Sequence, residues 1–407
     1  MADLRPFNAY MPAVGMEDKI AALPYDVYNR EESKVVVAAN PDSFLRIDRA
    51  ETNFPDDVDT YADVVYAKAN ELIQDWIKAG KFVSAGKPMY YLYQEIMDGR
   101  PQTGIVAAAS VKDYENNIIK KHENTLAAKE ADRIRHIDTT NMQTGPIFLA
   151  FRSNSDIDAF LTKKTSEKPH FDFISEDGIG HKVWLIDEPV DIDFITAEFG
   201  KMNAIYIADG HHRCASACKV GAKRHTDGQV KESDYFLSVL FPENQLKIMD
   251  YNRVVKDLNG YDVPEFLEEL ETYFTIGASD IPVKPAKKGR CGMYLDGQWY
   301  SLELKSEWFD SDPVEGLDVS ILQKYVLDGM LDIKDPKNDK RIDFVGGIRG
   351  LEELERRCGV DCKVAFAMYP TDITELFAVA DAGRLMPPKS TWFEPKLRSG
   401  LFLHDIH

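Results

Sequence analysis

The sequence predicts a mixed α/β (α+β) fold, and three observations carry that reading. Short runs rich in β-branched and aromatic residues, such as "MYYLYQEI", "GIVAAASV" and "YFLSVLF", alternate with longer stretches whose apolar residues recur at helical spacing. Turn signals of the Asp-Gly and Asn-Pro type separate them. No repeat of 20–50 residues and no low-complexity tract interrupts the pattern.

From Pro24, "PYDVYNREESKVVVAANPDSFLRID" reads as a turn, a helix with Glu31 and Glu32 in its early turns, and an extended segment after the Asn40-Pro41 breaker. An amphipathic helix follows, with Val64, Val65, Ala69, Leu72, Ile73, Trp76 and Ile77 at helical spacing and a stop near Gly80. The alternating residues on either side of Asp98-Gly99 predict a β-hairpin. A helix is expected after Thr125, a strand near Ile147, strands at "KVWLIDE" and "MNAIYIADG", and a helix between them from about Asp191 to Phe199. "YFLSVLFPENQLKIMDYNRVV" supplies two more strands around a turn. Beyond it, "PEFLEELETYF" and "SILQKYVLDGML" read as helices, "RCGMYLDGQWYSLEL" as a hairpin, and "IDFVGG", "VAFAMYP" and "TELFAVADAG" as alternating strand and helix. Two domains are expected, residues 1–257 and 258–407, with a C-terminal tail that returns to the cleft of the first.

Composition narrows the function. The 407 residues are 44% hydrophobic and 29% charged, ordinary values for a globular enzyme-sized protein. The longest apolar runs fall far short of the ~18 residues a membrane span needs, and "MADLRPFNAYMPA" lacks the pattern of a secretory signal, so a cytoplasmic protein is expected, with no membrane partner. A formal charge of −19 repels a phosphate backbone and argues against nucleic acid as a partner. Of five cysteines, two pairs have C-x₃-C spacing; buried core thiols explain them better than a zinc site. Oligomeric state leaves no mark.

The chemistry concentrates in "IYIADGHHRCASA" (205–217). A strand that runs into Asp209-Gly210 and then a helix leaves unpaired N–H groups at the positive end of a helix dipole, which is an anion site. Gly210 permits close approach and Arg213 offers a forked donor; the alternative is an Asp209 N-cap with His211 and His212 packed against the fold. No G-x-x-x-x-G-K-[ST] string occurs, so a P-loop is excluded.

"DGHHR" after a strand resembles the phosphate box of the ParB/sulfiredoxin-like superfamily, in the form found in free-serine kinases. "LPYDV" (23–27), "KKHENT" (120–125), "ADGHHR" (208–213), "MDYNRVV" (249–255) and "MPPKSTWFEPK" (386–396) together resemble a prokaryotic family designated domain of unknown function 1015, placed in that superfamily. The resemblance implies a nucleotide-binding core, with Gly210, His211, His212, Arg213 and His122 on phosphate. It implies a nucleotide (ATP or ADP) with Mg²⁺ and a small serine-like substrate. Glu123 is the expected general base, with His122 orienting it, Asp209 the magnesium or hydroxyl-positioning carboxylate, and His212 a catalytic partner. Tyr25, Asp26, Lys389, Ser390 and Thr391 are expected around the substrate, and Arg133 as a solvated helical residue.

The expected function is therefore a nucleotide-dependent phosphotransferase acting on a small hydroxyl metabolite, serine or phosphoserine. Two alternatives stand beside it: a ParB-like nucleotide switch, and a metal-dependent phosphohydrolase with His211, His212, Asp209 and Glu123 as ligands.

Overall fold

The apolar runs assemble into two principal sheets in the computed structural model, which describes residues 1–407. Each sheet belongs to its own unit: Met1–Leu246 with Pro395–His407, and Lys247–Glu394. The break expected after residue 257 falls instead after Leu246. The reason is that Tyr251–Val255 hydrogen-bonds to strands Ile342–Gly346 and Val364–Ala367 of the second sheet.

In the first unit, helix α1 (Arg30–Ala39) opens on a reciprocal cap, with Asn29 and Glu32 each accepting the other's backbone N–H at 2.9 Å. The extended segment expected after Pro41 is instead a short helix, Leu45–Asp48, and a 3₁₀ turn, Ala50–Asn53. A strand would turn alternate residues outward, whereas Phe44, Leu45, Ile47 and Ala50 all enter one apolar cluster. Helix α2 (Asp63–Lys78) buries Val65, Ala69, Leu72, Ile73 and Trp76 in that same cluster and stops at Gly80, φ +72°. Strands β1 (Tyr90–Met97) and β2 (Arg100–Ser110) form the hairpin, with both Asp98 and Gly99 left-handed as a two-residue loop demands.

The chain continues through β3 (Ile119–Lys120), α3 (Ala127–Thr140), β4 (Ile147–Phe151), β5 (Phe171–Ile174), β6 (Gly180–Ile186), α4 (Pro189–Gly200), β7 (Ile205–Asp209), α5 (His211–Arg224) and β8 (Tyr235–Pro242). The sheet order is β3-β7-β4-β8-β2-β1-β6-β5, with Leu4–Arg5 added to β2. β3–β7 and β4–β8 are parallel and the remaining pairs antiparallel. β4 and β8 are buried along their whole length, which is why they read as unbroken apolar runs. Residues Leu403–Asp405 of the tail pair with Ala9–Pro12 and Met142–Gln143, and Ser399 bridges to Ala22.

The second unit contains β9 (Tyr251–Val255), α6 (Val263–Leu270), β10 (Phe274–Ser279), β11 (Arg290–Leu295), β12 (Gln298–Leu304), β13 (Ile342–Gly346), β14 (Val364–Ala367) and α7 (Ile373–Asp381). Its antiparallel sheet runs β10-β12-β11-β14-β9-β13. The "SILQKYVLDGML" helix is regular only to Leu322; it continues to Asp328 as a π-type turn.

Helix α5 lies close against its own return segment: a Cβ added at Gly221 would sit 2.4 Å from the Ser233 carbonyl oxygen and 2.9 Å from Val111 Cγ2. The nearer obstacle is backbone and cannot swing away. Gly221→Ala is therefore expected to destabilise the protein by ~1–3 kcal/mol, the cost of overpacking, read as a lower midpoint in denaturant with an unchanged slope.

Candidate active site

β7 ends irregularly. Its pairing with β4 shifts register between Ile207 and Asp209, a bulge that leaves Ala208 without an opposite residue while Asp209 pairs with Phe148. Gly210 follows at φ +88°, and a Cβ there would lie 3.0 Å from both Nε and Nη2 of Arg213. The backbone conformation requires glycine, and a Cβ would also press on the Arg213 guanidinium. Helix α5 begins at the next residue, His211, with Gly210 as its N-cap.

Arg213 folds back over Gly210. Its Nη1 donates to the Pro146 carbonyl at 2.6 Å, and Nη2 lies 3.3 Å from Asp209 Oδ2. From the tail, Lys396 brings Nζ to 3.8 Å from the same oxygen. Burial alone would raise the Asp209 carboxyl; Lys396 and then Arg213 outweigh it and hold the group at about 2, while the side chain stays 37% exposed. Asp209 is thus an ionised carboxylate between two cations at neutral pH.

The "KKHENT" segment docks on this turn. The backbone N–H of His122 donates to His211 Nε2 at 3.4 Å, with the two rings edge to face at 4.5 Å. Four residues on, the Leu126 N–H donates to His212 Nε2 at 2.9 Å. Glu123 is therefore held between two backbone anchors to the first turn of α5. Burial lowers His122 to about 4 and carries His211 well below its ordinary range, so both rings are neutral. The two rings are 2% and 6% exposed and pack against each other where the two motifs meet. The cations beside Asp209 are Arg213 and Lys396.

Lys396 was not among the expected site residues. It closes the same "MPPKSTWFEPK" stretch as Lys389, and only the packing of residues 395–407 with the first unit distinguishes the two lysines. Lys389, Ser390 and Thr391 lie in the second unit. There Lys389 has φ +60° with its ammonium 5.6 Å from the Tyr251 ring centre, and Ser390 is buried, its hydroxyl donating to Pro387 O at 2.6 Å.

Tyr25 lines a cavity that also contacts Arg213, and Asp26 an adjoining one. Burial pushes the Tyr25 hydroxyl up to about 12, so it remains a donor. Arg133 is buried rather than solvated: its guanidinium sits 3.9 Å above the Tyr25 ring and pairs with Asp132 at 2.8 Å.

No group of three or more His, Cys, Asp and Glu side chains converges as a metal site. The four-ligand set of the phosphohydrolase alternative is not assembled, because His211 and His212 spend Nε2 on the backbone of residues 122 and 126. Cys214 and Cys218 are free thiols of the core. No helix is long and apolar enough to cross a membrane.

The molecule is thus a mixed α/β protein whose first unit carries a strand–glycine–helix turn ringed by cations. The model of the DUF1015 family, described as a protein of unknown function, matches residues 4–320, and the chain belongs to that family. Comparison with curated proteins gives no match. Among solved structures, a free serine kinase in complex with AMP is similar over 74% of this chain and 91% of its own, at 14% identity and a TM-score of 0.37. A conserved hypothetical protein from Pyrococcus furiosus is similar over 74% and 94%, at 16% identity and 0.35. SbnI with C-terminal truncation from Staphylococcus aureus is similar over 74% and 87%, at 12% identity and 0.38.

The depressed Asp209 carboxyl has a signed consequence. A carboxyl held below its ordinary value of 3.8 contributes stability in full above that value, and the contribution disappears as pH falls through about 2. Lys396→Met removes the largest of the influences that lower it, so the Asp209 titration midpoint should move upward. Carboxyl-carbon NMR on the wild type and the variant checks this; an unmoved midpoint would mean that Lys396 is not its partner in solution.

Proposed function

We propose that the protein is a nucleotide-dependent phosphotransferase that moves a phosphoryl group between ATP or ADP and a small hydroxyl metabolite, with serine, or phosphoserine in the reverse direction, as the leading substrate. The observation that carries this reading is the left-handed Gly210 at the start of α5, with Arg213 and Lys396 gathered around an ionised Asp209. The positive end of the α5 dipole and the two cations suit a polyphosphate. In the forward direction, the acceptor hydroxyl oxygen forms a bond to the terminal phosphorus while the bond to the bridging oxygen breaks, and the nucleotide leaves one phosphate shorter. Glu123 takes the hydroxyl proton, and Arg213 and Lys396 hold charge on the phosphate oxygens.

Magnesium suits an ionised carboxylate such as Asp209, since Mg²⁺ commonly takes one or two carboxylates and fills its remaining positions from phosphate and water. When bound it neutralises charge on the phosphates. Asp209 is the residue that would hold it.

A nucleotide switch would use the same cradle and would need no general base at Glu123. Glu123→Gln keeps the shape of the side chain and removes most of its basicity, so transfer should fall by ~10²–10⁴ with nucleotide affinity unchanged. The assay is nucleotide-dependent phosphorylation of L-serine and related alcohols, with binding measured on the same preparations. Full transfer in the variant would remove Glu123 as the base; no transfer to any alcohol by the wild type would favour the switch.

A further inference from the structure

The hollow beside Arg213 holds chemistry that a phosphate does not need. Two adjoining cavities share Tyr25, Asp48, Arg133 and His136. The inner one reaches Arg213 and Ser399, and the outer one Asp26 and Lys129. All of these residues belong to the first unit.

Three of the shared residues have bonding capacity left over. His136 is 3% exposed, and no hydrogen bond reaches its Nε2. Burial and the neighbouring Arg133 keep the ring neutral, and a backbone hydrogen bond with Ile47 occupies the other nitrogen. Nε2 is therefore a lone pair buried without a donor, a state that native proteins rarely leave unexplained. Arg133 gives Nε and Nη2 to Asp132, which uses only part of a five-donor fork. Asp48 accepts the Thr144 hydroxyl at 2.9 Å on Oδ1, well short of what two carboxylate oxygens can take.

The signs of these charges select the occupant. A simple anion would be drawn to Arg133 but would face Asp48 and Asp132, and a simple cation would meet the converse. A molecule carrying both charges satisfies both sides. We infer that this pocket is a subsite for a small zwitterion, with its carboxylate on Arg133, its ammonium on Asp48, and an N–H or O–H donor on His136 Nε2. That the zwitterion is the phosphoryl acceptor rests on the phosphotransferase reading; that it binds in this pocket does not.

Calorimetry on the full chain tests the inference. Glycine, L-alanine and L-serine are compared with L-glycerate, which has a hydroxyl in place of the ammonium of L-serine, and ethanolamine, which lacks the carboxylate. At least one amino acid should bind about tenfold or more tighter than both single-charge analogues, since each analogue leaves a buried charged partner unmatched. His136→Phe, which fills the same space without the acceptor, and Asp48→Asn should each weaken that amino acid by about tenfold, with nucleotide affinity unchanged. Absence of binding by every amino acid, equal binding of the analogues, or full affinity in both variants would overturn the inference. Should a variant fail to fold, the analogue series on the wild type decides alone. If the amino-acid preference holds while the wild type binds no nucleotide, the phosphotransferase reading falls and the zwitterion subsite stands.

Discussion

The left-handed backbone at Gly210 is the constraint on which the site depends. It lets the chain turn from the bulged end of β7 directly into α5, and the missing side chain is the space that the Arg213 guanidinium occupies. Because Arg213 lies there, it reaches the Pro146 carbonyl and the Asp209 carboxylate at once, tying the start of β4, the end of β7 and the first turn of α5 together. An L-residue at this position would be strained in its backbone and would displace the arginine. Three elements would then lose their common partner.

Around that turn the protein gathers cations against an acidic background. A chain of net charge −19 repels polyphosphates at a distance, so an anion is held only where positive groups are placed locally and with low exposure. Arg213, Lys396 and Arg133 are the groups so placed, and each is matched by a carboxylate, Asp209 for the first two and Asp132 for the third. Pairing of this kind keeps the charges tolerable in the absence of ligand. His136 Nε2, like both ring nitrogens of His122, is a buried polar atom without a hydrogen-bond partner, and it lines the hollow beside Arg213.

The second unit has a related feature of its own. Arg253 is buried, its charged form disfavoured by burial to about 10, and its guanidinium is used on backbone carbonyls, Nη2 donating to Lys389 O at 3.1 Å. This bond holds the carbonyl of a residue whose own backbone is left-handed without being glycine. The "MDYNRVV" and "MPPKST" motifs are thus joined by this hydrogen bond and by the Lys389 ammonium over the Tyr251 ring, although the sequence separates them widely.

Local chemistry in the sequence determined the strand–Asp-Gly–helix turn at 209–210, the Asp98-Gly99 hairpin and the buried stripe of α2. Periodicity and the need for positive φ are properties of neighbouring residues, and they survive whatever the rest of the chain does. The motifs themselves were equally visible, down to "KKHENT" and "FEPK". What only the tertiary structure decided was which of their side chains are buried and which stay accessible. Nothing in "HENT" or "DGHHR" reveals that His122 and His211 are buried against each other, or that Leu45–Asp48 coils so as to reach a core built mostly from α2. Nor does a lysine near the end of the chain disclose that its partner is Asp209, or a helical arginine that it lies over Tyr25. Burial, ionisation and long-range pairing depend on which distant residues exclude water from a group. That is settled only when the sheets close and the helices pack.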